Sequence, residues 1–256
     1  MENWVLIPIG ITIASFASLI GIGGGLLWAP YFILFRGFDP QKAILFSFLI
    51  QFVGMGSATS WNVRHRNIYW KLVLFFLPVI VVGVVIGAFL NQRVADPRLL
   101  KGILGVVSIF VSLYFAFQTE RYDTVLTLDK STKPTVQQQG QSLFFGILSG
   151  LFSVGISDFL VPVMRSKLKI PMKYSIGTSL FLNFCLALTG ALTHLSFTSH
   201  TLNRETMSIL LFSWIGVFIG GQLGPKLANI IEEGRLKEIF IFTLLLIGIH
   251  LIYKTL

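Results

Sequence analysis

The chain has 256 residues, of which 54% are hydrophobic and 12% charged, and its mean hydropathy is +0.78. Soluble domains carry about 25% charged residues, so this composition excludes an ordinary water-soluble fold and indicates one integral membrane domain. The formal net charge of +9 does not indicate nucleic-acid binding, because the basic residues lie in the gaps between apolar runs, without the interleaved aromatic residues of a nucleic-acid groove.

Eight apolar segments are candidate membrane spans, since a helix needs about 20 apolar residues to cross the hydrocarbon core. They cover residues 4–35, 43–62, 69–91, 99–118, 142–164, 173–196, 205–228 and 236–254. No positively charged residue precedes the first segment, so we expect it to be retained rather than cleaved as a signal peptide. At 1.5 Å per residue it would be about 48 Å long, against a core of about 30 Å, and it is therefore expected to break.

The stretch GIGGGLLWAP, which starts at Gly21, marks the expected break. A broken helix is tolerated in a bilayer only inside protein or beside a watery cavity, because every backbone polar group needs a partner. Gly23, Gly24 and Gly25 predict exposed N–H groups in front of a new helix, an arrangement that binds anions. Close helix packing through small residues is the alternative. Pro30 favours the break, since proline interrupts or starts a helix.

The chain divides into two related halves, residues 1–118 and 142–256, which a polar linker at 119–141 connects. At an offset of 132 the aligned pairs are Gly23 with Gly155, Pro30 with Pro162, Ser47 with Ser179, Gln51 with Asn183 and, after one residue of slip, Gly83 with Gly216 and Gly87 with Gly220. Duplicated halves are typical of secondary transporters, which bind substrate where the halves meet. Four crossings per half predict parallel repeats, and an odd number predicts inverted ones.

Polar residues on the second and sixth segments are candidate substrate ligands. Ser47 and Gln51 are four residues apart and share a helix face, as do Ser179 and Asn183. Neutral donors of this kind complete the shell of an oxyanion; hydrogen bonding between helices is the alternative. The predicted substrate-binding residues are Gly23, Gly24, Gly25, Ser47, Gln51, Gly155, Ser157, Thr178, Ser179 and Asn183.

Two further sets of residues are candidates for roles around this site. Asp158 is the only acidic residue away from the ends of the apolar segments, and a carboxylate at membrane depth is a functional candidate by default. We expect it to couple ion movement to anion movement, the alternative being a structural carboxylate paired with a basic residue or a helix N-terminus. Arg64, His65 and His194 are expected to form an electropositive vestibule, with interfacial anchoring as the alternative.

The distribution of basic residues predicts the orientation of the chain. If all eight segments cross, one side of the membrane carries 12 Lys and Arg residues and the other carries 8. The positive-inside rule then predicts a multi-pass protein of the cell membrane with both termini outside.

Four motifs together resemble one known family of membrane permeases, the TauE/SafE family. They are GIGGGLLWAP, IGTSLFLNF from Ile176, GALTH from Gly190 and IGVFIGGQLGPKL from Ile215. The resemblance spans nearly the whole chain and implies export of sulfite, an organosulfonate or a related small anion. The second glycine motif differs from the family pattern GIGGG, because it reads Gly155-Ile156-Ser157-Asp158 here.

We therefore predict an all-α integral membrane permease, built from two repeated four-segment halves that each open with a Gly/Pro-broken helix. It is expected to move a small sulfur-containing anion by alternating access, coupled to a proton or sodium gradient. The alternatives are an uptake permease for thiosulfate or another small anion, a non-transporting assembly factor, and an intramembrane enzyme built on Asp158. The sequence has no metal-spaced Cys/His cluster, P-loop or GxSxG motif, so no cofactor, metal or catalytic residue is predicted.

Overall fold

A computed structural model of the protein describes residues 3–21, 23–94, 96–117, 134–197, 204–227 and 233–255. Regular structure in these ranges is helical throughout. The helices are α1 (Leu6–Ile20), α2 (Gly25–Phe35), α3 (Pro40–Arg64), α4 (Trp70–Arg93), α5 (Pro97–Phe117), α6 (Val136–Phe152), α7 (Ser157–Pro162), α8 (Met172–Phe197), α9 (Arg204–Leu227) and α10 (Glu233–Tyr253). A 3₁₀ turn at Asn3–Val5 precedes α1, and a π-helical turn at Val163–Lys167 continues α7.

Among the described residues, five helices are long and apolar enough to cross a membrane: α3, α4, α5 over Pro97–Tyr114, α8 and α9. Shorter apolar helices lie at Asn3–Leu19, Gly25–Phe35 and Ile241–Tyr253. Large apolar side chains such as those of Leu74 and Phe218 are more than half exposed on the outside of the bundle. An apolar outer surface of this kind needs lipid around it, so the chain is an integral membrane protein.

Both expected helix breaks are present. The first apolar segment separates into α1 and α2 around Gly21–Gly24, and the fifth separates into α6 and α7 at Ser153–Ile156. The interpretation of Pro30 as a helix-interrupting residue is wrong, because Pro30 lies inside α2 and the glycines before it make the break. Helix α6 begins at Val136, six residues before the expected start of the fifth segment, and so includes the end of the predicted linker.

Helix α1 packs along α9, and the two run parallel. Gly10 lies beside Gly216, and further along both helices Ser18 lies beside Gly224. Helix α6 packs along α4 in the same manner. Gly146 lies beside Gly83, and further along both helices the Asn91 side-chain amide donates to the Leu151 carbonyl at 2.7 Å. Small residues on each seam allow the backbones to approach closely.

Two other helix pairs run antiparallel. In the α3–α8 pair, the ring centroids of Phe48 and His194 lie 5.3 Å apart, and those of Phe52 and Phe184 lie 5.2 Å apart. In the α5–α10 pair, the Ser112 hydroxyl donates to the Ile241 carbonyl at 2.8 Å, while Gly105 lies beside Gly248.

These directions make each broken helix a hairpin. Helix α3 runs parallel to α9, since the Trp214 indole donates to the Leu49 carbonyl at 3.0 Å and Gln222 donates to the Ser57 carbonyl at 2.6 Å. Helices α1 and α3 therefore point the same way, and α2 between them returns the chain to the end where α1 begins. We call α1, α2 and their connection hairpin 1. Helix α8 runs parallel to α4, since the Trp70 ring packs on Phe181 and the Phe89 ring on Phe197. Helix α6 is also parallel to α4 and therefore points the same way as α8, so α6, α7 and the π-helical turn form hairpin 2.

Candidate functional site

The tips of the two hairpins meet at the centre of the bundle through backbone atoms. Gly23 and Gly155 are both buried, and a Cβ atom on either would overlap the Cα atom of the other. A Cβ atom on Gly25 would likewise overlap the Ser153 carbonyl oxygen. Gly24 is different, because a Cβ atom there would keep at least 3.6 Å from its neighbours. Positions 23, 25 and 155 therefore have no room for a side chain, whereas position 24 has room for a methyl group.

Buried polar side chains of α3 hold both tips. The Gln51 amide donates to the Ser153 hydroxyl at 2.6 Å, and that hydroxyl donates to Ser47 Oγ at 3.1 Å. Ser47 Oγ also donates to the Gly25 carbonyl at 3.4 Å. The helix face predicted from the four-residue spacing thus contacts hairpin 1 through Ser47 and hairpin 2 through Gln51.

The matching face of α8 does the same from the other side. Asn183 Oδ1 accepts a hydrogen bond from the Ile156 N–H at 2.9 Å, and its side-chain NH₂ donates to the Ser157 hydroxyl. The Ser179 hydroxyl donates to the Gly21 carbonyl at 3.4 Å. The structure therefore brings Ser47, Gln51, Ser179 and Asn183 together around the two breaks. The Ile156 N–H at the second break is capped by Asn183, so an anion reaches it only after this amide turns away.

The structure places Thr178 away from the hairpin tips. Its hydroxyl accepts a hydrogen bond from the Tyr69 N–H at 2.9 Å and fixes the connection between α3 and α4 to the start of α8. Gly177 allows the same approach, because a Cβ atom there would overlap the Asn67 carbonyl oxygen.

The three predicted vestibule residues do not come together. Arg64 and His65 are exposed at the end of α3, whereas His194 is fully buried near the end of α8. Because α3 and α8 are antiparallel, these ends lie on opposite sides of the bundle. His194 Nε2 lies 2.9 Å from the Gly150 carbonyl and connects α8 to α6.

The predicted ion-coupling residue, Asp158, has its backbone in the first turn of α7. Its side chain lies outside the described part of the structure, so the coupling role stays a prediction. Among the described residues, no group of three or more His, Cys, Asp and Glu side chains is arranged to hold a metal ion.

Ser153 is a site residue that was missed from the sequence. It ends α6 with a left-handed backbone conformation, φ 59°, which is uncommon for a residue other than glycine. The repeat offset pairs it with Gly21, whose φ is 79° and which ends α1 in the same conformation. That pairing was the available signal, because a serine at a glycine's position retains the turn and adds a hydroxyl.

A polar cavity of about 210 Å³ lies beside hairpin 1, at the end of the bundle where α3 ends and α8 begins. Its lining residues are Ser18, Leu19, Trp61, Asn62, Asn67, Lys173, Ile176 and Pro225. Ile176 also packs against Gly21, so this cavity lies next to hairpin 1. A larger groove of about 290 Å³ between α1, α2 and α10 has an almost entirely apolar lining, which suits lipid chains better than an anion.

These features define a helical membrane protein with two opposed hairpins whose broken tips meet in the interior. The sequence model of the family described as "Sulfite exporter TauE/SafE" matches residues 6–251, and the chain belongs to this family.

Relatives in a bacterium, an archaeon and a plant support this membership. The chain is 26% identical to a probable membrane transporter protein, YunE, of Bacillus subtilis, over 99% of this chain and 98% of the relative. It is 23% identical to a probable membrane transporter protein, MJ0441, of Methanocaldococcus jannaschii, over 91% and 89%. A stretch covering 37% of the chain is 30% identical to 22% of the Sulfite exporter TauE/SafE family protein 3 of Arabidopsis thaliana. No solved structure matches the chain.

Proposed function

We propose that this membrane transporter is a secondary exporter of a small sulfur-containing anion such as sulfite or an organosulfonate. Membership of the sulfite exporter family supports the substrate class. The observation that carries the proposal is the meeting of two broken helices at Gly23 and Gly155, surrounded by the neutral donors of Gln51 and Asn183. Broken helices inside a membrane protein are where transporters bind ions and substrates, because backbone groups become available there.

The two halves act as inverted repeats in this proposal. The contacts of α1 with α9 correspond to those of α6 with α4, and the α3–α8 and α5–α10 pairs join equivalent helices. Because both pairs of equivalent helices are antiparallel, a two-fold axis between the halves lies across the helices, in the plane of the membrane. This arrangement supports six crossings, by α3, α4, α5, α8, α9 and α10, with the two hairpins re-entrant.

The six-crossing topology also increases the difference in basic residues between the two sides, from which the orientation is predicted. The side where α3 ends carries 13 Lys and Arg residues in the sequence, against 7 on the side of the termini. The 13 are Arg64, Arg66, Lys71, Arg121, Lys130, Lys133, Arg165, Lys167, Lys169, Lys173, Lys226, Arg235 and Lys237. The positive-inside rule makes that side cytoplasmic and places both termini outside. The bias is slightly stronger than with eight crossings, because six Lys and Arg residues, among them Arg64 and Arg66, join the positive side and five leave it.

Transport then requires the hairpin tips to part. In the structure the polar groups of Gln51, Ser153 and Asn183 are taken up by hydrogen bonds around the tips. Rocking one half against the other would separate the tips and free these donors for an oxyanion, which restores their hydrogen bonds.

We further propose that Asp158, beside the second tip in the sequence, couples this movement to a proton or sodium gradient.

Flux into proteoliposomes tests the proposed function. The purified protein is reconstituted, and uptake of radiolabelled sulfite, sulfoacetate, taurine and thiosulfate is compared with that of empty liposomes. We expect saturable flux of at least one of these four sulfur compounds, of which taurine is a zwitterion and the other three are anions. Absence of flux for all four, with folded and oriented protein, would refute the proposal.

A further inference from the structure

The polar cavity beside hairpin 1 lies on the side that carries the excess of basic residues. Its walls come from the ends of α1, α3 and α9, the first turn of α8 and the α3–α4 connection. Lys173 supplies the positive charge, and none of the eight residues that line the cavity carries a carboxylate. Asn62 is buried and Asn67 half-buried, and both line the same cavity as Lys173. A cation with neutral donors in a partly enclosed pocket is suited to a small anion.

Hydrogen bonds between uncharged groups hold the walls of the cavity in place. The Asn67 amide donates to Asn62 Oδ1 at 3.4 Å, and the Asn67 N–H donates to the Asn62 carbonyl at 3.0 Å. The bond between the Tyr69 N–H and Thr178 fixes the same connection to α8. Thr178, which was predicted as a substrate ligand, therefore helps to hold the connection that carries Asn67.

The residues that correspond to Lys173 and Asn62 lie at the other end of the bundle, where each bonds to a neighbouring helix. The repeat offset pairs Lys173 with Gln41, and Asn62 with His194. Gln41 Nε2 donates to the Asn91 and Val94 carbonyls, both at 3.3 Å, and so ties the start of α3 to the end of α4. His194 ties α8 to α6.

The two ends of the molecule therefore differ. At the cavity end, Asn62 donates to the Ala58 carbonyl of its own helix at 3.0 Å, and Ser18 Oγ lies 2.6 Å from the Ala14 carbonyl and 3.5 Å from the Gly220 carbonyl of α9. Lys173 and Asn62, which correspond to Gln41 and His194, line the cavity instead.

We propose that this cavity is the cytoplasmic loading site for the transported oxoanion, with Lys173 as the charged ligand and Asn62 and Asn67 as amide donors. This inference rests on the proposed transport function and names the place where substrate first binds. An anion held there lies next to Ile176, which contacts Gly21 at the tip of hairpin 1, so parting of the tips gives it a direct path inward.

The test compares K173Q with K71Q in inverted membrane vesicles, in which the cytoplasmic face is outside. Both variants remove one exposed lysine charge from the same side, but Lys71 does not line the cavity. Using the anion that the proteoliposome assay shows to be transported, we expect K173Q to raise the KM for export about 5-fold or more, with the maximal rate retained, because one attractive charge is lost. We expect K71Q to leave KM within about 2-fold of the unaltered protein, as an exposed charge outside the site contributes little.

A second variant, N67D, adds a negative charge with little change in side-chain size and should raise the same KM at least as much as K173Q. An unchanged KM in both variants, or an equal rise in K71Q, would overturn the loading site while leaving the transport function standing. Loss of flux in the unaltered protein would instead overturn the proposed function itself.

Discussion

Gly23 and Gly155 show most directly how single residues determine this site. G23A adds one methyl group where it would overlap Gly155 Cα, so the hairpin tips must move apart. Overpacking of this kind costs about 1–3 kcal/mol of stability, and we expect a lower melting temperature and impaired flux. G24A is the matched control, because its Cβ atom has 3.6 Å of room and its backbone is already helical. Equal effects of the two variants, measured by thermal denaturation in detergent and by flux, would contradict the tip contact.

Gln51 and Gln222 allow function and stability to be separated. Both amides bond across helices, but Gln51 bonds to Ser153 of hairpin 2, whereas Gln222 bonds to Ser57 and Ser60 of α3. Each Leu substitution leaves partners unpaired at a cost of about 1–3 kcal/mol. We expect Q51L to reduce flux much more than Q222L at a similar loss of melting temperature. Flux that falls in proportion to stability in both variants would make Gln51 purely structural.

The residues around the breaks were predictable because the repeat pairs them. Ser47 with Gln51 and Ser179 with Asn183 lie on one helix face each, and the structure brings both pairs to the tips. Spacing along a helix does not say which neighbour the face meets. For that reason it could not show that Thr178 holds the α3–α4 connection, or that His194 lies at the other end from Arg64.

At the scale of helices, the glycine seams join hairpins to crossing helices. A Cβ atom on Gly87 would overlap the Ile147 carbonyl oxygen, so G87A forces α4 away from α6. We expect a loss of about 1–3 kcal/mol, seen as a lower melting temperature. Gly140 in α6 has open space where a methyl group would lie, with no atom within 4 Å, and G140A should be neutral or stabilising by up to about 1 kcal/mol. A G87A variant as stable as G140A would show that the seam is looser than described.

The breaks were predictable from length and glycine content, but the return of the chain was not. An apolar segment looks the same whether it crosses the bilayer or turns back, because its composition carries no direction. The direction follows only from contacts between distant helices, such as Gly10 with Gly216 and Ser112 with Ile241. The sequence therefore left parallel and inverted repeats equally open.

At the scale of the whole molecule, cysteine labelling distinguishes the two topologies. Cys185 is the only cysteine, so C185A provides a background free of thiols. With re-entrant hairpins, R66C and K169C lie on the same, cytoplasmic side, and R98C lies outside. With eight crossings, R66C and K169C lie on opposite sides. We expect an impermeant maleimide to label R98C in intact cells, and R66C and K169C only after permeabilisation. Labelling of K169C together with R98C in intact cells would contradict the proposed topology.

The central claim is that transport requires hairpin 2 to separate from α3. Ser47 Oγ and Ser153 Oγ lie 3.1 Å apart, so S47C and S153C in the C185A background are placed to form a disulfide with small changes in side-chain size. Flux is measured before oxidation, after oxidation and after reduction, with S153C alone as the control. The anion is the best transported of the panel other than sulfite, which cleaves disulfides. We predict that the disulfide stops flux and that reduction restores it; full flux through the cross-linked protein would contradict the account.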